Sequence, residues 1–163
     1  WKPGEVEPDP IFVSDIDETK LELAARLGPI TPVNVARQDL TAEILAATDG
    51  WGVEIVFECS GSPKAAAAVF DPLCPAGRVV FIGVQMHDIA YDVGKAMVRE
   101  ARVEHVFRYA HVFPRCVAML SSGSIDVKPL ITRTFEFAES VRAFEIAASA
   151  PKGEVKMQIE LPQ

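Results

Sequence analysis

Apolar and polar residues follow two different periods along the chain. Short, nearly continuous apolar runs indicate strands that are buried in a sheet. Between these runs, apolar residues recur about every three or four positions, which is typical of helices with one buried face. The runs predict strands or extended segments over residues 11–14, 30–35, 52–59, 78–84, 89–91, 103–107, 127–137 and 155–161. The intervening stretches predict helices over residues 17–27, 41–48, 65–70, 93–100, 112–120 and 139–148.

Turn and capping residues support these boundaries. Acidic residues stand at the start of the first predicted helix, and Gly28 follows its end. Ser62 can cap the third predicted helix, and Pro63 suits its first turn. The sequence Pro-Ala-Gly over residues 75–77 predicts a turn before the strand that starts at residue 78. Because nearly apolar strands alternate with helices, we predict an α/β fold whose parallel sheet is covered on both faces.

Composition narrows the class of protein. The 163 residues are 49% apolar, which suits one domain with a packed core. The net charge of −7 argues against nucleic acid as a partner, because phosphate binding needs a basic face. No apolar run approaches the roughly 18 residues of a membrane span, so we expect no membrane partner. Residues 1–10 are rich in acids and prolines, resemble no targeting peptide, and are expected to be irregular.

The cysteines and histidines form no recognisable metal-binding pattern. Cys59, Cys74 and Cys116 lie far apart without a CxxC motif, and we interpret them as reduced, mostly buried thiols. A structural zinc site or a disulfide framework is the alternative interpretation. The odd cysteine count without a secretory signal points to the cytoplasm. The three histidines share no ligand spacing and are interpreted as ordinary polar or core residues, so no metal site is predicted; they are His87, His105 and His111.

Asp15 directly follows the first predicted strand. Ligands of parallel sheets bind at the carboxyl ends of the strands, so residues at these ends are the candidates for binding. A carboxylate there can accept both hydroxyls of an adenosine ribose and repels a 2′-phosphate, which favours NAD over NADP. The alternative is a solvated or helix-starting aspartate. Asp15 and Asp17 also form a DxD pair, but no further carboxylate or histidine lies nearby to complete a metal site.

Other candidates follow later strands. Gly61 and Gly83 stand at or just beyond strand ends, where glycine allows the backbone to approach a ligand closely, although each could be a plain turn glycine. Arg108 and Tyr109 follow the strand over residues 103–107. The guanidinium of Arg108 offers paired donors to phosphate or sugar oxygens, and an ordinary surface arginine is the alternative.

Five stretches together resemble a known family. In order and spacing, residues 11–161 resemble the C-terminal half of zinc-dependent, medium-chain polyol dehydrogenases, the sorbitol and xylitol dehydrogenase group. The stretches that carry this resemblance are VSDIDETKL (13–21), FECSG (57–61), GRVVFIG (77–83), VFRY (106–109) and VKPLIT (127–132). The resemblance implies a Rossmann-like, doubly wound parallel sheet and a hydride transfer from a polyol to NAD, with a zinc ion polarising the alcohol.

The resemblance also implies roles for individual residues. Asp15 would bind the adenosine ribose, and Lys20 would approach the same ribose. Backbone groups of Ile82, Gly83 and Val84 would line the nicotinamide. The cofactor pocket would be closed by Val106, Phe107 and Arg108, and the polyol would face Arg108 and Tyr109.

The sequence departs from the family in what precedes residue 11. It contains neither the zinc ligands, nor the first Rossmann strand, nor its GxGxxG turn, whose helix N-terminus holds the pyrophosphate. We therefore expect an incomplete sheet, with a partial dinucleotide-binding domain over residues 11–125 and a tail over 126–163 that in the family returns to the catalytic domain. We expect no catalytic residue in this chain, which would be inactive alone and would form homo-oligomers through sheet edges. The alternative function is a non-enzymatic interaction module derived from a coenzyme domain.

Overall fold

The computed structural model describes residues 10–162, so most of the leader predicted over residues 1–10 lies outside the described residues. The strands are β1 (Ile11–Asp15), β2 (Ile30–Asn34), β3 (Val53–Glu58), β4 (Leu73–Phe81), β5 (Arg102–His105), β6 (Ile131–Glu136) and β7 (Lys156–Glu160). The α-helices are α1 (Glu18–Ala25), α2 (Leu40–Ala47), α3 (Pro63–Ala67), α4 (Val93–Val98), α5 (Phe113–Ser121) and α6 (Ser140–Ala148). Short 3-10 turns are formed by Lys128–Leu130 and Phe137–Glu139.

The strands form parallel sheets, as predicted. Among the described residues β1 pairs with β2, β4 lies between β3 and β5, and β6 pairs with β7. The chain divides into two compact units. Unit 1 contains the described residues up to Gln38 and those from Pro114 onward, and unit 2 contains Asp39–Phe113. The family-based boundary between residues 125 and 126 stays a prediction. No helix between residues 10 and 162 is long and apolar enough to cross a bilayer.

Unit 2 is built around β4, which is paired on both edges. Its residues Leu73, Val79 and Phe81 are buried and form one core cluster with Val69 and Phe70, which follow α3. The register places Val79 opposite Val56 of β3 and Val103 of β5, both of which pack against this core. A strand with neighbours on both edges and helices over its faces needs apolar residues at successive positions, which explains the strength of its sequence signal.

Unit 1 joins segments from the two ends of the described chain. Val33 of β2 is buried, and so is Leu21 of the neighbouring helix α1. In the β6–β7 sheet, Phe135 is buried, and Ala143 of α6 is buried as well. The helix α1 begins where predicted because the side chain of Asp17 accepts the Thr19 N–H, which satisfies one of the free donors of the first turn.

Two predicted elements are wrong. The turn over residues 75–77 lies inside β4, where the pairing shifts from Val53–Leu73 to Ile55–Arg78 and Ala76 adopts a positive φ of 59°. These residues form a bulge within a continuing strand. Residues 89–91 form no strand. Their apolar side chains are explained by packing, because Ile89 contacts the unit 2 core and the ring of Tyr91 lies edge-on to Phe70.

Several predicted boundaries also move. The fourth strand ends at Phe81 rather than at residue 84, and β5 ends at His105 rather than at residue 107. The third helix ends at Ala67, and Ser62 stands at its N-cap without a side-chain hydrogen bond to the helix. The residues predicted for the cofactor in unit 2 therefore lie in loops that follow β4 and β5.

We predict that Gly52→Ala destabilises unit 2 strongly. Gly52 is buried at φ +95°, and a Cβ there would lie 2.5 Å from the carbonyl oxygen of Pro72, which accepts the Val53 N–H. We expect a loss of about 1–3 kcal/mol in the free energy of unfolding, measured by urea denaturation. Gly50→Ala is the matched control, since Gly50 has φ +80° but open space at its Cβ position. Equal losses in both variants would contradict the steric explanation.

Candidate functional site

Asp15 ends β1 and is held by a local hydrogen bond. Its Oδ1 accepts the Asp17 N–H at 2.9 Å, and its backbone carbonyl accepts the N–H of Val35 at 3.1 Å. Among residues 10–162 no group is hydrogen-bonded to the second carboxylate oxygen, Oδ2. The carboxylate is therefore fixed at the end of its strand by one oxygen, and the other remains able to accept hydroxyl groups.

Asp17 connects the start of α1 to the C-terminal part of unit 1. Its Oδ1 accepts the Thr19 N–H at 3.0 Å, and its Oδ2 accepts the Gly153 N–H at 2.7 Å. The bond from Gly153 is the main reason that the pKa of Asp17 is lowered, and the bond from Thr19 and the charge of Lys20 lower it further. Lys20, the other predicted ribose residue, lies half-buried in the first turn of α1.

Asn34 is a buried polar residue that the sequence analysis did not select. It lies opposite Asp15 in the strand register and is only 5% exposed. Its Nδ2 donates to Glu18 Oε2 at 2.6 Å, and its Oδ1 accepts the Ala36 N–H at 3.0 Å. The signal that could have revealed it is the one that selected Asp15, a polar side chain that ends an apolar strand.

In unit 2 the predicted site residues follow the ends of neighbouring strands. The register aligns Glu58 of β3 with Phe81 of β4, and Phe81 with His105 of β5. The Val106 N–H donates to the carbonyl of Phe81 at 2.9 Å. The two loop segments predicted to line a cofactor, residues 82–84 and 106–108, therefore begin side by side at the same end of this sheet.

Glu58 was not selected as a site residue, yet its carboxylate is the most hydrogen-bonded group at this edge. It is 4% exposed, and Oε1 accepts the Ser60 N–H at 2.9 Å, the Ser60 hydroxyl at 2.5 Å and the Gly61 N–H at 3.1 Å. Its Oε2 accepts from Gln85 Nε2 at 2.8 Å. A buried carboxylate is tolerated only when hydrogen bonds replace its water, and these donors come from the loops after β3 and β4.

Gly61 and Gly83 are required by a close approach of these two loops. A Cβ on Gly83 would overlap the backbone nitrogen of Gly61 and lie 2.9 Å from Glu58 Oε2. A Cβ on Gly61, which has φ +68°, would lie 2.5 Å from the carbonyl oxygen of Val84. Ligand approach and a plain turn were both open for these glycines from the sequence, and in the structure the space at each Cβ position is occupied by the neighbouring loop.

Arg108 and Tyr109 contact different aromatic rings. The guanidinium carbon of Arg108 lies 5.1 Å from the ring centroid of Phe107, which is itself 76% exposed. The ring of Tyr109 lies edge-on to Phe113, with the centroids 5.0 Å apart. Arg108 is exposed and has a positive φ of 56°, an uncommon conformation for a residue with a side chain.

The cysteines and histidines do not assemble into a metal site in the described part of the chain. No group of three or more His, Cys, Asp or Glu residues there could hold a metal ion. All three cysteines are free, and Cys74 is buried whereas Cys59 and Cys116 are exposed. Partial burial of its sulfur raises the pKa of the Cys59 thiol, and the charge of Glu58 raises it further. Burial likewise raises the pKa of Cys74.

Comparison with known proteins shows extensive similarity. A family model, described as zinc-binding dehydrogenase, matches residues 10–122. A protein of Agrobacterium fabrum, named provisionally as a D-xylulose reductase, is 39% identical over 94% of this chain and 44% of its own length. D-Xylulose reductase of Morganella morganii is 33% identical over 85% of this chain and 41% of its own length.

A solved structure gives the same result for the fold. A protein of Sinorhizobium meliloti, named provisionally as a zinc-binding dehydrogenase and bound to NADP, matches with a TM-score of 0.82 and 26% identity. The match covers 93% of this chain and 45% of that one. The predicted α/β class with parallel sheets is confirmed. The chain spans less than half the length of each of these three proteins.

We predict that Asp17→Asn lowers stability at neutral pH and has little effect in acid. Because the pKa of Asp17 is lowered by folding, its charge contributes stability above about pH 3.8, and this contribution is lost as the pH falls through the lowered value. Urea midpoints at pH 7 and pH 3 measure the effect. Asp126→Asn is the control, since that carboxylate accepts only the local Lys128 N–H in the described structure. A stability loss at pH 7 no larger than that of the control would contradict the prediction.

Proposed function

The chain belongs to the zinc-binding dehydrogenase family, and from this premise we propose that it is the coenzyme-binding portion of an NAD-dependent polyol dehydrogenase. The observation that carries the proposal is the geometry of Asp15. Its carboxylate is fixed at the end of β1 by the Asp17 N–H and keeps one oxygen open. The relatives named D-xylulose reductase support a polyol and its ketose as the substrate pair, because reduction of a ketose gives a polyol.

Asp15 would determine the choice of dinucleotide. A carboxylate at a strand end accepts the ribose hydroxyls of NAD and repels the 2′-phosphate of NADP. Lys20, in the first turn of α1, would approach the same ribose from its half-buried position. Since the similar Sinorhizobium meliloti structure holds NADP, we base the preference for NAD on Asp15 itself.

Unit 2 would contribute the residues around the nicotinamide. The N–H groups of Ile82 and Gly83 both donate to the carbonyl of Glu58, at 2.8 and 2.9 Å. The carbonyls of Ile82 and Gly83 would then accept from the carboxamide of the nicotinamide. The Val84 N–H, which has no partner in the described part of the chain, would donate to it. Val106, Phe107 and Arg108 would line the same pocket, and Arg108 with Tyr109 would face the polyol hydroxyls.

The two cofactors of the proposed enzyme differ in how they fit this chain. When bound, NAD accepts a hydride from the carbinol carbon of the alcohol. The open carboxylate oxygen of Asp15 supports binding of a ribose hydroxyl of NAD, whereas the described residues offer no ligand cluster for a zinc ion. We therefore assign the zinc site and the chemical step to the part of the relatives' length that this chain does not span, and we propose that this chain alone is inactive. A cytoplasmic location is part of the same proposal.

We predict that Asp15→Ala weakens NAD binding and improves the acceptance of NADP. Loss of hydrogen bonds to a charged acceptor costs about 1.5–3 kcal/mol, which is roughly 10-fold to 150-fold in affinity. Calorimetric titration of the chain with NAD and with NADP measures both effects. Asp126→Ala is the control, because it removes a carboxylate that serves only a local turn. An unchanged ratio of NAD to NADP affinity in Asp15→Ala would contradict the assignment.

Exposed apolar residues support homo-oligomerisation as a further part of the proposal. In the described sheet β5 pairs only with β4, and α4 exposes Val93, Met97 and Val98. An open strand edge and exposed apolar side chains favour association with another copy. We expect sedimentation at micromolar concentration to show oligomers. Oligomers that bind neither dinucleotide would favour the alternative function, an interaction module, and a monomer would contradict the oligomer proposal.

A further inference from the structure

Glu58 connects two loops that come from different parts of unit 2. The loop after β3 supplies Ser60 and Gly61 as donors to Oε1, and the loop after β4 supplies Gln85 as donor to Oε2. The backbone carbonyl of the same residue accepts the N–H groups of Ile82 and Gly83. Glu58 is therefore hydrogen-bonded to both loops through its carboxylate and to the second loop also through its backbone carbonyl.

The Glu58 carboxylate accepts the hydrogen bonds that it makes with its partners in the described structure. Its partners are the N–H groups of Ser60 and Gly61, the Ser60 hydroxyl and the Gln85 side-chain amide, and together they occupy both carboxylate oxygens. A glutamine in its place offers one acceptor oxygen where the carboxylate offers two, so one side of this buried cluster loses its acceptor. The tight packing of Gly61 against Val84 leaves the loops little room to adjust.

We infer that Glu58 is a positioning residue: its carboxylate locks the loop of residues 59–62 to the loop of residues 82–85. By this lock it sets the backbone groups of Ile82, Gly83 and Val84, to which the nicotinamide is assigned. The second part of the inference rests on the proposed function, whereas the locking of the loops does not. Glu58 acts through these backbone groups and does not itself touch the cofactor.

The test compares three variants of the chain by NMR and by NAD titration. Glu58→Gln removes the charge, Gln85→Ala removes only the bond across the loops, and Glu54→Gln removes an exposed carboxylate of the same strand as a control. We expect Gln85→Ala to shift the amide resonances of Ser60 and Gly61. We expect Glu58→Gln to shift residues 82–85 as well and to weaken NAD binding about tenfold. Glu54→Gln should do neither.

The outcomes separate positioning from a general structural role. If Glu58 has only a structural role, Glu58→Gln lowers the unfolding temperature, but the folded variant binds NAD as tightly as Glu54→Gln does. That result would overturn the inference. If Glu58→Gln does not fold, Gln85→Ala decides, because unshifted Ser60 and Gly61 resonances would overturn the lock. If the unaltered chain binds neither NAD nor NADP, the proposed function fails, and the resonances still decide whether Glu58 joins the loops.

Discussion

Hydrogen bonding of β4 on both edges fixes where the loops of unit 2 begin. Because β3, β4 and β5 run in the same direction, their last paired residues, Glu58, Phe81 and His105, lie in one row. The buried side chains of Val79 and Phe81 hold this row against the core. The position of the candidate cofactor loops therefore follows from core packing and strand register, and the loops themselves supply only the final contacts.

Both units stabilise polar groups at strand ends in the same way. Glu58 in unit 2 and Asn34 in unit 1 are buried, and each is hydrogen-bonded to N–H groups of the residues that immediately follow it. Each is also hydrogen-bonded to a side chain distant in sequence, which is Gln85 for Glu58 and Glu18 for Asn34. The hydrogen bonds of these two buried side chains take the place of bonds to water. They therefore fix the conformation of the loop that follows each strand.

The order of strands and helices could be predicted because periodicity reports burial, and burial in an α/β fold follows the elements closely. Periodicity does not report which group a backbone N–H bonds. For this reason residues 89–91, which pack against the core without a partner strand, were wrongly predicted as a strand, and the bulge within β4 was wrongly predicted as a turn. The role of Glu58 was missed because its partner Gln85 lies 27 residues away. The position of Asp15 was predictable because it directly follows an apolar run, which the pattern of hydrophobic residues reveals.

The hydrogen bond from Gly153 to Asp17 has a consequence for synthesis of the chain. It joins residues 136 positions apart within unit 1, whereas unit 2 is one continuous segment. During translation, all of unit 2 is made before Gly153, so Asp17 still lacks its Gly153 partner when unit 2 emerges. Closing so long a loop carries an entropic cost that the contacts formed on closure must offset. The long-range bond of unit 1 can therefore form only after the whole of unit 2 has been synthesised.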